Sequence, residues 1–335
     1  MSEQESEQEK AIKDAAQALG RGRLVAFPTE TVYGLGADAS NEDALKKLYD
    51  VKGRPSSHPV IVHLAHAEEA EKWCTNISEA AIVLGQIFWP GPLTLVLRKK
   101  KHVLDLVTGG QDTVAIRVPS HPIAQALLQE FGGGIAAPSA NRFGRLSPTT
   151  AEDVRSEFGD EVAVVLDGGA CEIGIESTIV DVSGDRPRIL RPGMIQAETL
   201  AVVLEELGFV PEGDSGTVPR VPGSTASHYA PNTPVKLVSS ADFSAFLEEL
   251  EHQGTDTAVL AFRAPPVLHR HWITAARFPA HYAHNLYRNL RKLDAVGADL
   301  LLVEEPPLDG EWVGIWDRLL RASGSKQAEE ECDGS

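Results

Sequence analysis

Short apolar runs separated by amphipathic stretches pattern the first two hundred residues. Leu24-Val25-Ala26-Phe27 is such a run, stopped by Pro28, and predicts a buried strand. Residues 60–64, 93–97, 113–118 and 135–137 predict four more. Between the first two, Ser40-Asn41-Glu42-Asp43 has the form of a capping box. It opens a helix through Leu45, Leu48 and Tyr49 that Gly53 ends. Strands alternating with helices predict an α/β domain. The turn chemistry of Gly184-Asp185-Arg186-Pro187 adds a hairpin, so the sheet is expected to be mixed. From 211 to about 234 the chain turns to Pro, Gly and Ser, the composition of a linker. Beyond it, strands at 235–238, 258–262 and 300–303 alternate with helices near 241–252, 280–296 and 313–322. This predicts a smaller Rossmann-like second domain, without the G-x-G-x-x-G turn of a dinucleotide site. The expected division is an acidic tail (1–9), a first domain (10–210), a linker (211–233), a second domain (234–322) and an acidic tail (323–335).

Composition narrows the function classes. The 335 residues are 42% hydrophobic and 24% charged, ordinary for a globular protein. No apolar run reaches the roughly 18 residues that span a bilayer, and Met1-Ser2-Glu3 does not begin a secretory signal. Cys74, Cys171 and Cys332 have neither paired nor metal-ligand spacing, which fits a reducing cytoplasm and passive thiols. The formal net charge of −17 argues against holding nucleic acid by broad phosphate contact. Much of the acidity lies in the two tails, which read as disordered. The basic run Arg98-Lys99-Lys100-Lys101 reads as a solvated loop after a strand.

The chain has no phosphate-binding G-x-x-x-x-G-K-[ST] loop, no H-E-x-x-H and no G-x-S-x-G elbow. Candidate chemistry lies at strand and helix ends instead. Lys52 and Arg54 flank Gly53 at a helix C-terminus, where cations also complement the helix dipole. The stiff turn Pro55-Ser56-Ser57-His58-Pro59 follows, so an exposed turn is expected to present two cations and an imidazole, suited to a triphosphate. Thr113 and Arg117 share one face of a strand with Ala115, while Val114, Ile116 and Val118 take the other. An inward arginine needs a carboxylate or phosphate, either an internal salt bridge or a ligand. His63 likewise faces away from Val60, Val62 and Leu64; a satisfied core histidine is its ordinary reading. Ser139 and Asn141 fall on a strand-to-helix loop, and Ser147 with a Thr149/Glu152 capping box marks a helix N-terminus with free N–H groups. Gly174 precedes Glu176-Ser177-Thr178, and a later strand ends at Arg191-Pro192-Gly193.

Five motifs in order carry a family resemblance. Phe27-Pro28-Thr29-Glu30-Thr31-Val32-Tyr33-Gly34, Lys52-Gly53-Arg54-Pro55 with His58-Pro59, and Pro138-Ser139-Ala140-Asn141 with Ser147-Pro148-Thr149 resemble the YrdC-type domain. So do Gly174-Ile175-Glu176-Ser177-Thr178 and Leu190-Arg191-Pro192-Gly193. Pro222-Gly223, His228-Tyr229-Ala230-Pro231 and the second domain resemble the family's long form, the threonylcarbamoyl-AMP synthases; the likeness runs from about residue 10 to 322.

The resemblance implies a twisted mixed sheet with a central cavity, and a reaction of L-threonine, bicarbonate and Mg-ATP giving threonylcarbamoyl-AMP and pyrophosphate. A separate transferase would then use the adenylate to modify a tRNA adenosine next to the anticodon. Because the substrates supply the nucleophile, no protein Ser or Cys nucleophile is expected. Matched by position, Lys52, Arg54, Ser139 and Asn141 are the catalytic set. Arg54, His58, Thr113, Ser139, Asn141, Ser147, Arg191, His228 and Tyr229 fall at ATP positions, the last two in a linker that acts as a lid. Thr31, His63, Arg117, Ala137 (by its backbone) and Ser177 fall at threonine positions. No tightly bound metal is implied; Mg²⁺ rides on ATP. Phe143 stands where the family often has a small residue. Two other readings are an RNA-binding YrdC-type module and a carbamoyl transferase of the hydrogenase-maturation type. The second brings cysteine-rich zinc motifs that three scattered cysteines cannot supply.

Overall fold

The structure, a computed structural model, describes residues 3–206, 219–222, 229–265 and 269–324. It forms two compact units, Met1–Phe143 with Ser147–Ser224, and Gly144–Leu146 with Thr225–Ser335.

The first unit is built on nine strands: β1 (Val25–Phe27), β2 (Gly34–Asp38), β3 (Ile61–His63), β4 (Leu93–Arg98), β5 (Thr113–Arg117), β6 (Ile135–Ala136), β7 (Val164–Val165), β8 (Thr178–Asp181) and β9 (Arg188–Arg191). Their order in the sheet is β7-β1-β2-β6-β3-β5-β4-β8-β9. The sheet is mixed: β1/β7, β3/β5 and β4/β8 pair parallel, the other neighbours antiparallel. The expected hairpin is β8–β9. Residue 34 begins a strand that the Gly-rich pattern of Gly34-Leu35-Gly36 had concealed.

Strand alternation divides the core. Ala26, Leu35, Val62, Leu93, Leu95, Val114, Ile116 and Val180 point to one face, where helices including Glu42–Lys52, Glu79–Phe88 and Ala151–Phe158 cover them. The opposite face is covered in two patches. Val25, Phe27, Ile135 and Ala137 pack under the helices Glu3–Gly20 and Pro122–Phe131. Ile61, Val96, Ala115 and Ile179 form a small second patch with Val221. Polar side chains of β3, β4 and β5 belong to this divided face.

Two boundaries differ from expectation. The acidic N-terminal segment is helical from Glu3. Ala15, Ala16 and Leu19 recur at helical spacing and bury against the helix Pro122–Phe131, so the exposed stretch 6–10 propagates from an anchored end. Acidic residues in the first turns also favour the helix N-terminus. Further on, the capping box of the helix Ala151–Phe158 is Thr150 with Asp153, one residue after the predicted Thr149/Glu152. Asp153 also accepts from Thr149 N at 2.9 Å, so one carboxylate serves both amides. The linker stretches 207–218 and 223–228, and the C-terminal residues from 325, lie outside the described residues.

The second unit is a parallel sheet of β10 (Val235–Val238), β11 (Thr257–Ala261), β12 (Trp272–Thr274) and β13 (Leu300–Glu304), in the order β10-β13-β11-β12. The helices Phe243–Gln253, Pro279–Asp294 and Val313–Ser323 complete the predicted α/β alternation. β12 had no sequence signal: it is three residues long, at the sheet edge, and partly exposed.

Candidate active site

The divided face of the first sheet gathers buried polar groups. His63 and Arg117 are register partners across β3 and β5. Arg117, 3% exposed, is held from three sides. Its Nη2 donates to Glu30 Oε1 at 2.6 Å, Nη1 to Thr31 Oγ1 at 2.8 Å, and Nε to the Gly91 carbonyl at 3.3 Å. The internal salt bridge anticipated as one possibility is therefore present, with Glu30 as its carboxylate. Glu30 also accepts from Ser120 N at 3.1 Å. Thr31 stays in place because the loop between β1 and β2 folds on Thr29, whose Oγ1 donates to the Val32 carbonyl at 2.6 Å and meets Thr31 Oγ1 at 2.8 Å. Each terminal nitrogen of Arg117 still carries a second N–H.

His63 is buried, and its Nδ1 has no hydrogen-bond partner among the described residues. Burial and the neighbouring Arg117 guanidinium push the imidazole down to about 3, so it is neutral at physiological pH. The edge of the Phe27–His63 contact fixes the ring, with centroids 5.9 Å apart. A buried imidazole with an unused nitrogen is not the satisfied core histidine of the ordinary reading.

Lys52, Arg54 and the 139–141 loop form a second cluster. Lys52 and Arg54 are 2% and 7% exposed, so the two cations expected at the surface turn inward, while Gly53 and Pro55 to Ser57 of the turn itself are exposed. Gly53, at φ +62°, makes the left-handed turn that ends the helix Glu42–Lys52. The side chains on either side of it can then enter the interior. Lys52 Nζ donates to the Ser139 carbonyl at 2.6 Å and to the Asn141 carbonyl. Burial, followed by the charge of Arg54, holds this amine well below its ordinary range. Arg54 Nη2 donates to the Pro59 carbonyl at 2.9 Å, and its guanidinium lies 5.6 Å from the Phe143 ring centroid. His58 meets the same ring edge-on at 5.4 Å. The bulky Phe143 is thus the common wall of Arg54 and His58.

Ser139 bridges to Gly34, and Ala140 N donates to the Tyr33 carbonyl at 2.8 Å, so this cluster is tied to the loop that carries Glu30 and Thr31. Asn141 is buried and donates from Nδ2 to the Arg142 carbonyl at 2.8 Å. Ala137, also buried, spends its N–H on the Ile61 carbonyl at 2.9 Å.

A third group lies at the β8–β9 side. Ser177 Oγ and Thr94 Oγ1 are 2.8 Å apart on adjacent elements. Arg191 donates to the Ser177 carbonyl through Nη2 at 2.9 Å and Nε at 3.1 Å, and through Nη1 to the Pro222 carbonyl at 2.9 Å. Gly193 permits this approach, because a Cβ there would lie 2.5 Å from Thr178 N. Ser147 Oγ donates to Glu176 Oε1, next to Ser177. Thr113 shares the face but sits at the other end of β5, opposite Arg98. Tyr229, the other linker candidate, is buried within the second unit, 5.9 Å from the Tyr287 ring and 5.5 Å from the Arg318 guanidinium. His228 lies outside the described residues.

Glu30, Thr94 and Glu176 were not among the predicted site residues. Their only signal was position: a carboxylate in the Thr29-Glu30-Thr31 turn, a lone threonine in an apolar strand, a glutamate beside Ser177. Cys74 and Cys171 are buried free thiols, each pushed up to about 12 by burial. Among the described residues no group of three or more His, Cys, Asp or Glu could hold a metal ion, and no helix is long and apolar enough to cross a membrane.

Comparison with known proteins matches both units. Residues 17–193 fit the Sua5, YciO and YrdC family model described as telomere recombination. Residues 195–324 fit the model of the C-terminal domain of threonylcarbamoyl-AMP synthase. The chain is 38% identical over 324 residues to the threonylcarbamoyl-AMP synthase of Pyrococcus abyssi, covering 93% of this chain and 94% of that one. It is 40% identical to the Bacillus subtilis enzyme of the same name, covering 94% and 93%. Among solved structures, P. abyssi Sua5 complexed with L-threonine superposes with a TM-score of 0.87 at 37% identity, over 94% of this chain and 95% of that one.

Proposed function

The chain belongs to the threonylcarbamoyl-AMP synthase family in its two-domain form, and from that premise we propose that it is an L-threonylcarbamoyladenylate synthase. It converts L-threonine, bicarbonate and ATP into threonylcarbamoyl-AMP and pyrophosphate. The buried polar face around Arg117 and His63 carries this reading, since it offers a cation and a neutral imidazole to a small zwitterion in a site closed to bulk water.

Threonine's carboxylate takes the uncommitted N–H groups of Arg117, with Glu30 fixing the guanidinium plane. Thr31, His63, Ser177 and the Ala137 backbone surround the amino acid. The threonine amine attacks the bicarbonate carbon, and water leaves as the carbamate forms. A carbamate oxygen then attacks the α-phosphorus, and the bond to the pyrophosphate oxygen breaks. The protein supplies no nucleophile; it aligns two anions and offsets the charge that grows on the leaving group.

Arg54, His58, Thr113, Ser139, Asn141, Ser147 and Arg191 hold ATP. Lys52, Arg54, Ser139 and Asn141 act on the phosphates and bicarbonate, Lys52 by fixing the loop whose two carbonyls it holds. Mg²⁺ enters with the triphosphate as part of the substrate. The product passes to a separate tRNA threonylcarbamoyl transferase, and the setting is cytoplasmic. Two cations of the basic run weigh against direct RNA capture, because Arg98 pairs with Asp112 and Lys99 with Asp105.

The test is pyrophosphate release by the purified chain with Mg-ATP. Release that requires both L-threonine and bicarbonate supports the synthase. A folded, ATP-binding protein with no threonine-dependent release overturns it.

A further inference from the structure

The second unit carries a cavity of about 440 Å³ that the proposed reaction does not use. It lies at the carboxyl ends of the parallel strands, and the loop after each of the four contributes to it. Ser240 follows β10, Phe262 follows β11, Arg277 follows β12, and Glu305 to Leu308 follow β13. Crevices at this edge of a parallel sheet are where ligands of α/β proteins ordinarily bind. The volume is that of a small-molecule site.

The floor is rigid. Glu304, 2% exposed, accepts from Phe262 N at 2.7 Å, from Arg263 Nη2 at 2.7 Å and from Ser240 Oγ. One carboxylate thus ties the β10 and β11 loops to β13. The wall is aromatic: Phe262 and Trp312 meet edge-on at 5.8 Å. Leu308, the most exposed large apolar residue of the described chain at 87%, stands at the same cavity.

Two opposite charges also line it. Arg277 makes one hydrogen bond, from Nη2 to the Phe262 carbonyl at 3.1 Å, and no ion pair among the described residues. Glu305 spends its backbone N–H on the Val238 carbonyl at 2.9 Å, while its carboxylate has no partner among the described residues. A cation and an anion that share one cavity without pairing fit a ligand that bears both charges. The apolar wall supplies the third contact.

We propose that this cavity binds a free α-amino acid with a large apolar side chain, its carboxylate on Arg277, its ammonium on Glu305 and its side chain against Phe262, Trp312 and Leu308. The proposal stands independently of the reaction assigned to the first unit.

Ligand-observed NMR titration of the full chain with L-leucine and with L-phenylalanine, up to about 10 mM, tests it. The expected result is saturable binding of at least one of them, undiminished by saturating L-threonine. N-acetyl-L-leucine and L-leucinamide, each lacking one charge, bind at least about 10-fold more weakly, as do Arg277→Gln and Glu305→Gln proteins. Both positions are at the surface or half-buried, and unchanged circular dichroism and melting of the variants will register an intact fold. The blocked analogues keep the test valid on the unaltered chain. Absence of saturable binding, displacement by L-threonine, or equal binding of the blocked analogues would overturn the proposal.

Discussion

Replacing Glu30 by Gln tests whether the Arg117 site depends on its internal counterion. The pair is close, at 2.6 Å, and its side chains are only 4% and 5% exposed, so water cannot take over for a missing partner. Removing one member of such a pair leaves a buried charge uncompensated, at a cost of about 3–5 kcal/mol. Glutamine keeps a carbonyl oxygen that can accept from Arg117 or Ser120, which places the expected loss at the lower end, about 3 kcal/mol. A chain of two compact units need not melt in a single two-state step, so a whole-chain melt is a poor gauge. Amide hydrogen exchange of peptides spanning β3 and β5 reports the first unit alone, and their opening free energy should fall by that amount. The Glu30→Gln/Arg117→Met double variant removes both charges and should recover more than half the loss. A change below about 1 kcal/mol in Glu30→Gln would refute the argument that this pair holds the site.

The neutral His63 makes stability depend on acid. Its pKa is near 3 when folded and about 6.5 when unfolded, so its contribution is complete above about 6.5. It is lost progressively as the pH falls towards 3, because the unfolded chain binds the extra proton. His63→Phe should therefore flatten the urea stability of the first unit between about pH 6.5 and 4, and parallel curves for the two proteins would show that His63 titrates normally. Lys52→Met keeps the buried volume but removes both bonds to the 139–141 loop. Threonine-dependent pyrophosphate release should drop about 100-fold, with faster amide exchange at 139–141; normal turnover excludes Lys52 from the machinery. Phe143→Ala removes the ring shared by Arg54 and His58 and should lower kcat/KM for ATP about fivefold, or about 1 kcal/mol, in steady-state kinetics. An unchanged value would mean that the ring merely fills space.

Local pattern was enough for the strands of the first sheet that are apolar and bounded by turns, such as β1, β4 and β5, and for the α/β character of both units. It failed where the deciding contact comes from elsewhere. The acidic N-terminal helix is anchored by the distant helix Pro122–Phe131, and β12 exists only because β11 offers it an edge. At the candidate site, alternation by itself put Arg117 opposite Val114, Ile116 and Val118, and Gly53 marked the helix end beside Lys52. Which groups partner these cations was beyond it. Glu30 lies 87 residues from Arg117 in the chain, and the Ser139 carbonyl also 87 residues from Lys52. Periodicity is a property of neighbours within one element, whereas burial of a charge is decided by what the fold brings within hydrogen-bond reach. For that reason strand alternation along the chain was enough to turn Arg117 and His63 inward, whereas the burial of Lys52 and Arg54, the unused nitrogen of His63 and the pairing of Glu30 with Arg117 follow from contacts that the folded chain alone creates.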